Sequence, residues 1–147
     1  MNGRGRAGTA GERQDGPHAW SGVATGDLGT LIIGLAMDVH SELGPGLFER
    51  MYVEALVSAM RARGLHVEQE VAVPVFFRRM RLSLDYRLDL LVERRVVVEA
   101  KAVTKLTTLH ESQLRTYLRI TGTSLGILLN FDVDHMRQGF RRVYPRK

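Results

Sequence analysis

Asp89, Glu99 and Lys101 are the residues whose types and spacing could do chemistry. They lie in Tyr86-Arg-Leu-Asp-Leu-Leu-Val92 and Arg95-Val-Val-Val-Glu-Ala-Lys101, separated by Glu93-Arg94. Both stretches are rich in Val and Leu with charges at alternate positions, which predicts two β-strands joined by a tight turn. Residues two apart share a face of a strand. Glu99 and Lys101 therefore point one way, and Val96, Val98 and Ala100 the other. Asp89 is expected to share a face with Arg87 and Leu91, opposite Tyr86, Leu88, Leu90 and Val92. If pairing sets Asp89 beside Glu99, two carboxylates and an ammonium converge. Gathering them in a sheet is costly unless something offsets the charge. A divalent cation does so, since Mg²⁺ takes carboxylate oxygens and water. Alternating charge is also what any half-exposed strand shows, so this pattern alone decides nothing.

The elements that must position these residues can be read on either side. Asp27 to Leu43 predicts a first helix, with Leu31, Leu35, Val39 and Leu43 at i+4 spacing and Asp27 as N-cap. Gly44-Pro45-Gly46 stops it. Leu47 to Arg63 predicts a second helix, with Tyr52, Leu56, Ala59 and Met60 on its buried side. Glu49 falls in its first turn, where the helix dipole favours an acid by about 0.3–1 kcal/mol. Tyr52 lies one turn on, on roughly the same face. His66 to Phe77 alternates as a strand, and Pro74 marks an edge or a bulge. Arg78-Arg79-Met80-Arg81 makes the turn into the central pair. Thr104 to Ile120 predicts a third helix, with Leu106, Leu109, Leu114, Leu118 and the Tyr117 ring toward the sheet and Gln113 one turn before Tyr117. Leu125 to Phe131 is a strand covered on both sides, Asp132 to Gly139 a loop, and Phe140 to Tyr144 a last basic strand or extended tail. The coarse order is α-α-β-β-β-α-β, a mixed sheet flanked by helices.

Composition narrows the classes. The chain has 147 residues, 44% hydrophobic and 25% charged, which fits one domain with a core. There is no cysteine, so disulfides, thiolate catalysis and Cys-based zinc sites are excluded, and a cytoplasmic protein is expected. No apolar run approaches the roughly 18–20 residues of a membrane span. The formal net charge is +5 and favours phosphate-bearing partners. Residues 1–26 are Gly-rich and polar and read as a disordered tail, and 27–147 as the single folded domain. Trp20 is the tail's one large apolar residue, either packed on the domain edge or incidental.

Gly46-Leu-Phe-Glu49-Arg-Met-Tyr52 resembles the motif that names the GxxExxY proteins, small prokaryotic members of the PD-(D/E)XK nuclease superfamily. The resemblance continues through Val39-His40, Leu43-Gly-Pro-Gly46, Tyr86 to Val92, Val98-Glu-Ala-Lys-Ala-Val103, His110-Glu-Ser-Gln113, Tyr117-Leu118 and Leu129-Asn-Phe131, so it runs from about Leu31 to Val143. It implies the PD-(D/E)XK core, with the active site at its central strands. It further implies that Asp89 binds metal, that Glu99 and Lys101 form the Glu-x-Lys element, and that Glu49 is the acid of the first core helix. Gln113-x-x-x-Tyr117 resembles the helix motif of the RecB-like branch, beside the active site and the DNA backbone. Leu88 stands where a proline gives the superfamily its name, and Ala100 where a larger apolar residue is commoner; the Ala100 carbonyl would still be able to ligate metal.

The implied activity is hydrolysis of DNA phosphodiester bonds with Mg²⁺ or Mn²⁺ and little sequence specificity, with RNA an open substrate. Asp89, Glu99 and Glu49 would hold the metal. Lys101 would orient or deprotonate water and offset charge. Gln113, Tyr117, Tyr52, Arg87, Arg115 and Arg119 would contact the nucleic acid by sequence-independent bonds. His40 and His110 carry no catalytic role. Two other classes compete: a nucleic-acid-binding or complex-forming module of the same fold with little turnover, and a binder of small molecules or acidic proteins through the arginines. An edge strand near Pro74, or the C-terminal strand, offers itself to a second copy or a partner protein.

Overall fold

The computed structural model describes residues 19–146. The first helix, α1 (Thr25–Leu43), starts before Asp27. Ala24 is at its cap and contributes no side-chain bond, so Asp27 is not the cap but a first-turn acid, where the dipole favours it. Gly44, at φ 68, ends the helix and returns its amide to the His40 carbonyl at 2.8 Å. The second helix, α2 (Glu49–Ala62), follows one short loop later.

The chain just before α1 is not loose. The Trp20 indole donates to the Arg63 carbonyl at 3.0 Å. The Arg95 guanidinium reaches the carbonyls of Trp20 and Val23 and the Thr25 hydroxyl. Residues 20–26, read from the sequence as tail, are thus pinned to the domain by Arg95, by the Trp20 indole and by Arg142, which reaches the Gly26 carbonyl; residues 1–18 of that tail lie outside the described residues.

The strands in chain order are β1 (Val67–Val73), β2 (Phe76–Phe77), β3 (Met80–Arg81), β4 (Tyr86–Val92), β5 (Val96–Lys101), β6 (Leu125–Asn130) and β7 (Phe140–Val143), with α3 (Thr108–Thr121) between β5 and β6. Five of them form one mixed sheet in the order β1-β4-β5-β6-β7. The β5–β6 pair is parallel, with α3 as its crossover; the other pairs are antiparallel. Main-sheet succession is α-α-β-β-β-α-β-β. The expected single strand from His66 to Phe77 is broken at Pro74, which has no amide to give a ladder. Beyond it β2 and β3 form a separate ribbon, so Met80 and Arg81 are strand residues and the turn is Arg78-Arg79 alone.

Two apolar clusters sandwich the sheet. On one face Ile32, Ala36, Leu56 and Met60 of α1 and α2 meet Leu90, Val92, Val96, Val98, Ala100, Ile127 and Leu129. On the other, Leu114 and Leu118 of α3 meet Leu88, Val97, Leu128 and Val143. Each fully buried Leu or Ile contributes about 1.5–3 kcal/mol. α3 begins four residues later than its periodicity suggested. Thr107 accepts from the His110 amide and the His110 ring accepts from the Thr107 amide, a reciprocal cap that fixes the start. Leu109, expected against the sheet, is consequently exposed. Among the described residues no helix is long and apolar enough to cross a membrane.

Candidate active site

β4 and β5 pair from Val92↔Val96 to Leu90↔Val98, and there their ladder ends. The next opposed residues are Asp89 and Glu99, whose side chains take over from the backbone. The Asp89 amide donates to Glu99 Oε1 at 3.1 Å, and the Ala100 amide donates to Asp89 Oδ2 at 3.0 Å. Each carboxylate satisfies an amide on the opposing strand that would otherwise be left without a partner. On its other edge β5 remains paired with β6 through Lys101↔Asn130. The end of β5 is therefore held from one side and open on the other.

The β1–β4 ladder is interrupted at the same level. Pairs run on either side of Glu70 and Asp89 in one register, but these two residues are left out. Glu70 has φ 49, a left-handed conformation uncommon outside glycine. The faces change there. Leu90 and Val92 pack with α1 and α2, whereas Leu88 packs under α3 and Tyr86 meets the Tyr117 ring edge-on at 5.0 Å. The single face expected for Tyr86, Leu88, Leu90 and Val92 is therefore split, because strict alternation assumes an unbroken pleat. Leu91 packs on the α3 side, while Asp89 lines a cavity of about 550 Å³ with Glu49, Arg50, Val53 and Glu54 of α2 and Gln69 and Glu70 of β1.

The acids feel one another. Glu99 is 5% exposed. Burial, and then the Asp89 charge, push its carboxyl up to about 8, against the opposing pull of the Asp89 amide and of Lys101. Burial and Asp89 also raise Glu49, which Lys101 and the Ala102 amide pull back down. So Glu49, Asp89, Glu99 and Lys101 form one electrostatic unit. Tyr117 joins it: burial, then Glu99, Tyr86 and Asp89, push its phenol up to about 12.

Tyr52 does not belong to this surface. It is fully buried, stacked on Phe131 with ring centroids 4.5 Å apart. Its hydroxyl donates to the Gly44 carbonyl at 2.5 Å and accepts from the Leu47 amide at 3.0 Å. The sequence reading of Tyr52 as a nucleic-acid contact is corrected: it ties down the loop that delivers Glu49. Asn130 acts similarly on the other side. It is buried and clamps both backbone groups of Val103, while the Phe131 amide donates to the Lys101 carbonyl at 2.9 Å.

The α3 residues divide. Tyr117 is half-buried beside the acids and Gln113 is exposed one turn earlier. Arg115 and Arg119 sit two positions either side of Tyr117, about 200° round the helix. They line a separate cavity of about 350 Å³ with Ser112, Thr116, Pro145 and Arg146, and Arg115 pairs with Glu111 at 3.6 Å. The structure thus does not bring them to the acids. Arg87 is exposed on β4. His40 is buried, with Nε2 2.7 Å from the Val133 carbonyl, and His110 caps α3. Arg50, Glu54, Gln69 and Glu70 were missed as cavity residues. The available signal was Glu68-Gln69-Glu70, a polar run in a strand that otherwise alternates.

No three His, Asp or Glu side chains among the described residues are gathered into a ready-made metal cage. Mg²⁺ needs none, since it usually binds through one or two carboxylates and keeps several waters. The Asp89–Glu99 pair fits that requirement: burial, and then the Asp89 charge, drive Glu99 toward its protonated form, and a cation would offset both. Ala100 is fully buried, with its amide on Asp89.

Residues 26–143 match the family model described as the PD-(D/E)XK nuclease superfamily. No curated protein matches the chain. Among solved structures it is similar to the crystal structure of SSO0001, with a TM-score of 0.52 and 18% identity over 67% of this chain and 51% of that one. The chain spans about half the length of that protein, and the likeness is one of fold.

Proposed function

Because the chain belongs to the PD-(D/E)XK nuclease superfamily, we propose that it is a metal-dependent nuclease that hydrolyses DNA phosphodiester bonds with little sequence specificity. The observation that carries this reading is the Asp89–Glu99 bridge at the point where β4 and β5 part, with Lys101 and Glu49 in the same electrostatic unit. The resemblance of Gly46 to Tyr52 to the GxxExxY motif, and of Gln113 to Tyr117 to the RecB-like helix motif, supports a place within the superfamily.

In this reading Asp89 and Glu99 would hold Mg²⁺ or Mn²⁺, with the Ala100 carbonyl and Glu49 available as further oxygen donors. When bound, the cation would supply Lewis-acid stabilisation of the phosphate and activation of water. Lys101 offsets charge developing on the phosphate and orients the attacking water. Tyr117 keeps its proton at any physiological pH, since its phenol is pushed up to about 12, and it therefore acts as a hydrogen-bond donor to a phosphate oxygen. Gln113 and Arg87 position the backbone without reading bases.

The test is cleavage of labelled single- and double-stranded DNA in Mg²⁺, Mn²⁺ or EDTA, with Asp89→Ala and Lys101→Ala in parallel. Metal-dependent cleavage lost in both variants is expected. Cleavage that survives in both would sink the assignment. Salt-sensitive binding without cleavage would move the protein to the class of binding modules.

A further inference from the structure

The ribbon between β1 and β4 is not part of the main sheet. Its strands pair Phe76↔Arg81 and Phe77↔Met80, and the Leu82 amide adds a bond to the Val75 carbonyl at 2.8 Å. A ribbon this short is at best marginally stable by itself. Its turn is Arg78-Arg79, with φ 48 and 68. Asn-Gly is the usual choice where both central residues take positive φ. Two arginines there are strained, and strain of this kind gathers where side chains have a task.

The ribbon's apolar side chains are open. Phe76 is 59% exposed, Phe77 56% and Met80 59%. Phe77 and Met80 form one cross-strand pair and Phe76 and Arg81 the next, so they lie on opposite faces and neither face is covered. The Arg78 guanidinium lies 5.1 Å from the centre of the Phe77 ring. Arg81 pairs with Asp85 at 3.2 Å, and among the described residues neither Arg78 nor Arg79 has a carboxylate partner. The ribbon leaves the sheet at the Val73↔Tyr86 pair, and Tyr86 meets Tyr117. Asp89 is three residues along β4 from Tyr86, about 10 Å. The ribbon therefore stands at the end of the sheet where β5 finishes at Lys101, beside the candidate active site.

We infer that the β2–β3 ribbon holds the unpaired strand of a DNA substrate. Phe76, Phe77 and Met80 take the faces of splayed bases, and Arg78 and Arg79 take the flanking phosphates. The inference rests on the nuclease reading of the neighbouring site and specifies its substrate as single-stranded DNA or the single-stranded part of a branched duplex. Rings interleaved with arginines are the chemistry of sequence-tolerant single-strand binding. Phe, Met and Arg also occur at protein interfaces; two arginines without a carboxylate partner among the described residues, next to acids read as a phosphodiester-cleaving site, favour a phosphate-bearing chain. Inside a duplex the bases are already stacked and offer the rings nothing.

The test measures fluorescence anisotropy of the full chain, with Ca²⁺ in place of Mg²⁺, on a labelled oligonucleotide used single-stranded or annealed to its complement. Phe76→Ser with Phe77→Ser is expected to weaken single-strand binding about tenfold or more and to leave duplex binding unchanged. Arg78→Asn with Arg79→Gly keeps the turn type; it is expected to weaken both and to lower the salt slope by about two phosphate contacts. Equal losses on both probes in the Phe variant, or no loss, overturn the inference. So does a dimer in sedimentation that the Phe substitutions dissolve, because a second copy would then cover the ribbon. Cleavage in Mg²⁺ is scored separately. A wild type that cleaves while the Phe variant binds normally defeats the ribbon and leaves the nuclease standing. A wild type that never cleaves, but whose single-strand binding depends on the ribbon, does the reverse.

Discussion

Asp89 is an acid of the candidate site and also the acceptor for a strand amide. Replacing it with Ala removes both functions, and an orphaned buried amide costs about 1–3 kcal/mol. Asp89→Asn separates them: Asn still accepts from Ala100, so thermal stability stays near wild type while cleavage falls by about two orders of magnitude or more, in line with loss of one charge-stabilising group. Lys101→Ala is expected to lower single-turnover cleavage by about 10²–10⁴. Glu99 gives a pH signature. Its folded carboxyl is raised from 4.5 to about 8. The unfolded chain therefore loses this proton first as pH rises, and the metal-free fold is progressively destabilised between those values. Glu99→Gln should abolish that loss, so its Tm gain over wild type is larger at pH 8 than at pH 5 in EDTA. A gain independent of pH would contradict a Glu99 carboxyl raised by burial and by the neighbouring Asp89 charge.

Among the elements, the loop from Gly44 to Phe48 and the start of α3 are the parts that place Glu49 and Tyr117. Tyr52→Phe leaves the Leu47 amide and the Gly44 carbonyl without their shared hydroxyl, and should cost about 1–3 kcal/mol in urea unfolding. Metal-independent DNA affinity should not change, as expected of a buried tether. Sequence periodicity put Tyr52 on the correct face of α2, but a ring at the rim and a ring in the core have the same spacing. Gly44-Pro45-Gly46 marked the break between the helices, whereas the meeting of Asp89 with Glu99 stood only as a condition on strand register, which the ladder through Leu90↔Val98 meets. Periodicity missed the start of α3, because Leu106 and Leu109 continue the leucine spacing backward while the cap at Thr107 depends on a backbone geometry that spacing does not encode. The face change in β4 was hidden for a related reason: it falls where the β1–β4 ladder is interrupted and Glu70, on another strand, takes a positive φ.

At the scale of the whole molecule, the sheet is gripped between helices on both faces, and β6 is where the grip is closest. A Cβ on Gly126 would come within 2.8 Å of Leu114 Cγ. Gly126→Ala should therefore push α3 outward, cost about 1–3 kcal/mol by overpacking and reduce cleavage by displacing Tyr117. A Tm unchanged by the substitution would show that α3 has slack. The layered α/β architecture was legible because the helices and the longer outer strands carry an apolar period and β6 reads as a continuous apolar run. The ribbon was not, since two-residue strands are too short to show one, and neither was the separation of Arg115 and Arg119 from Tyr117, which follows from their angles round α3.

Where side chains replace backbone bonds between β4 and β5, the molecule carries its own indicator. The Asp89 and Ala100 amides donate to the two carboxylates that would take up a cation. Their nuclear magnetic resonance shifts should move on titration with Mg²⁺, ahead of any substrate and independently of turnover. Residues of the β1–β4 ladder near Val67 would stay still, and loading of the site would be readable from two backbone protons.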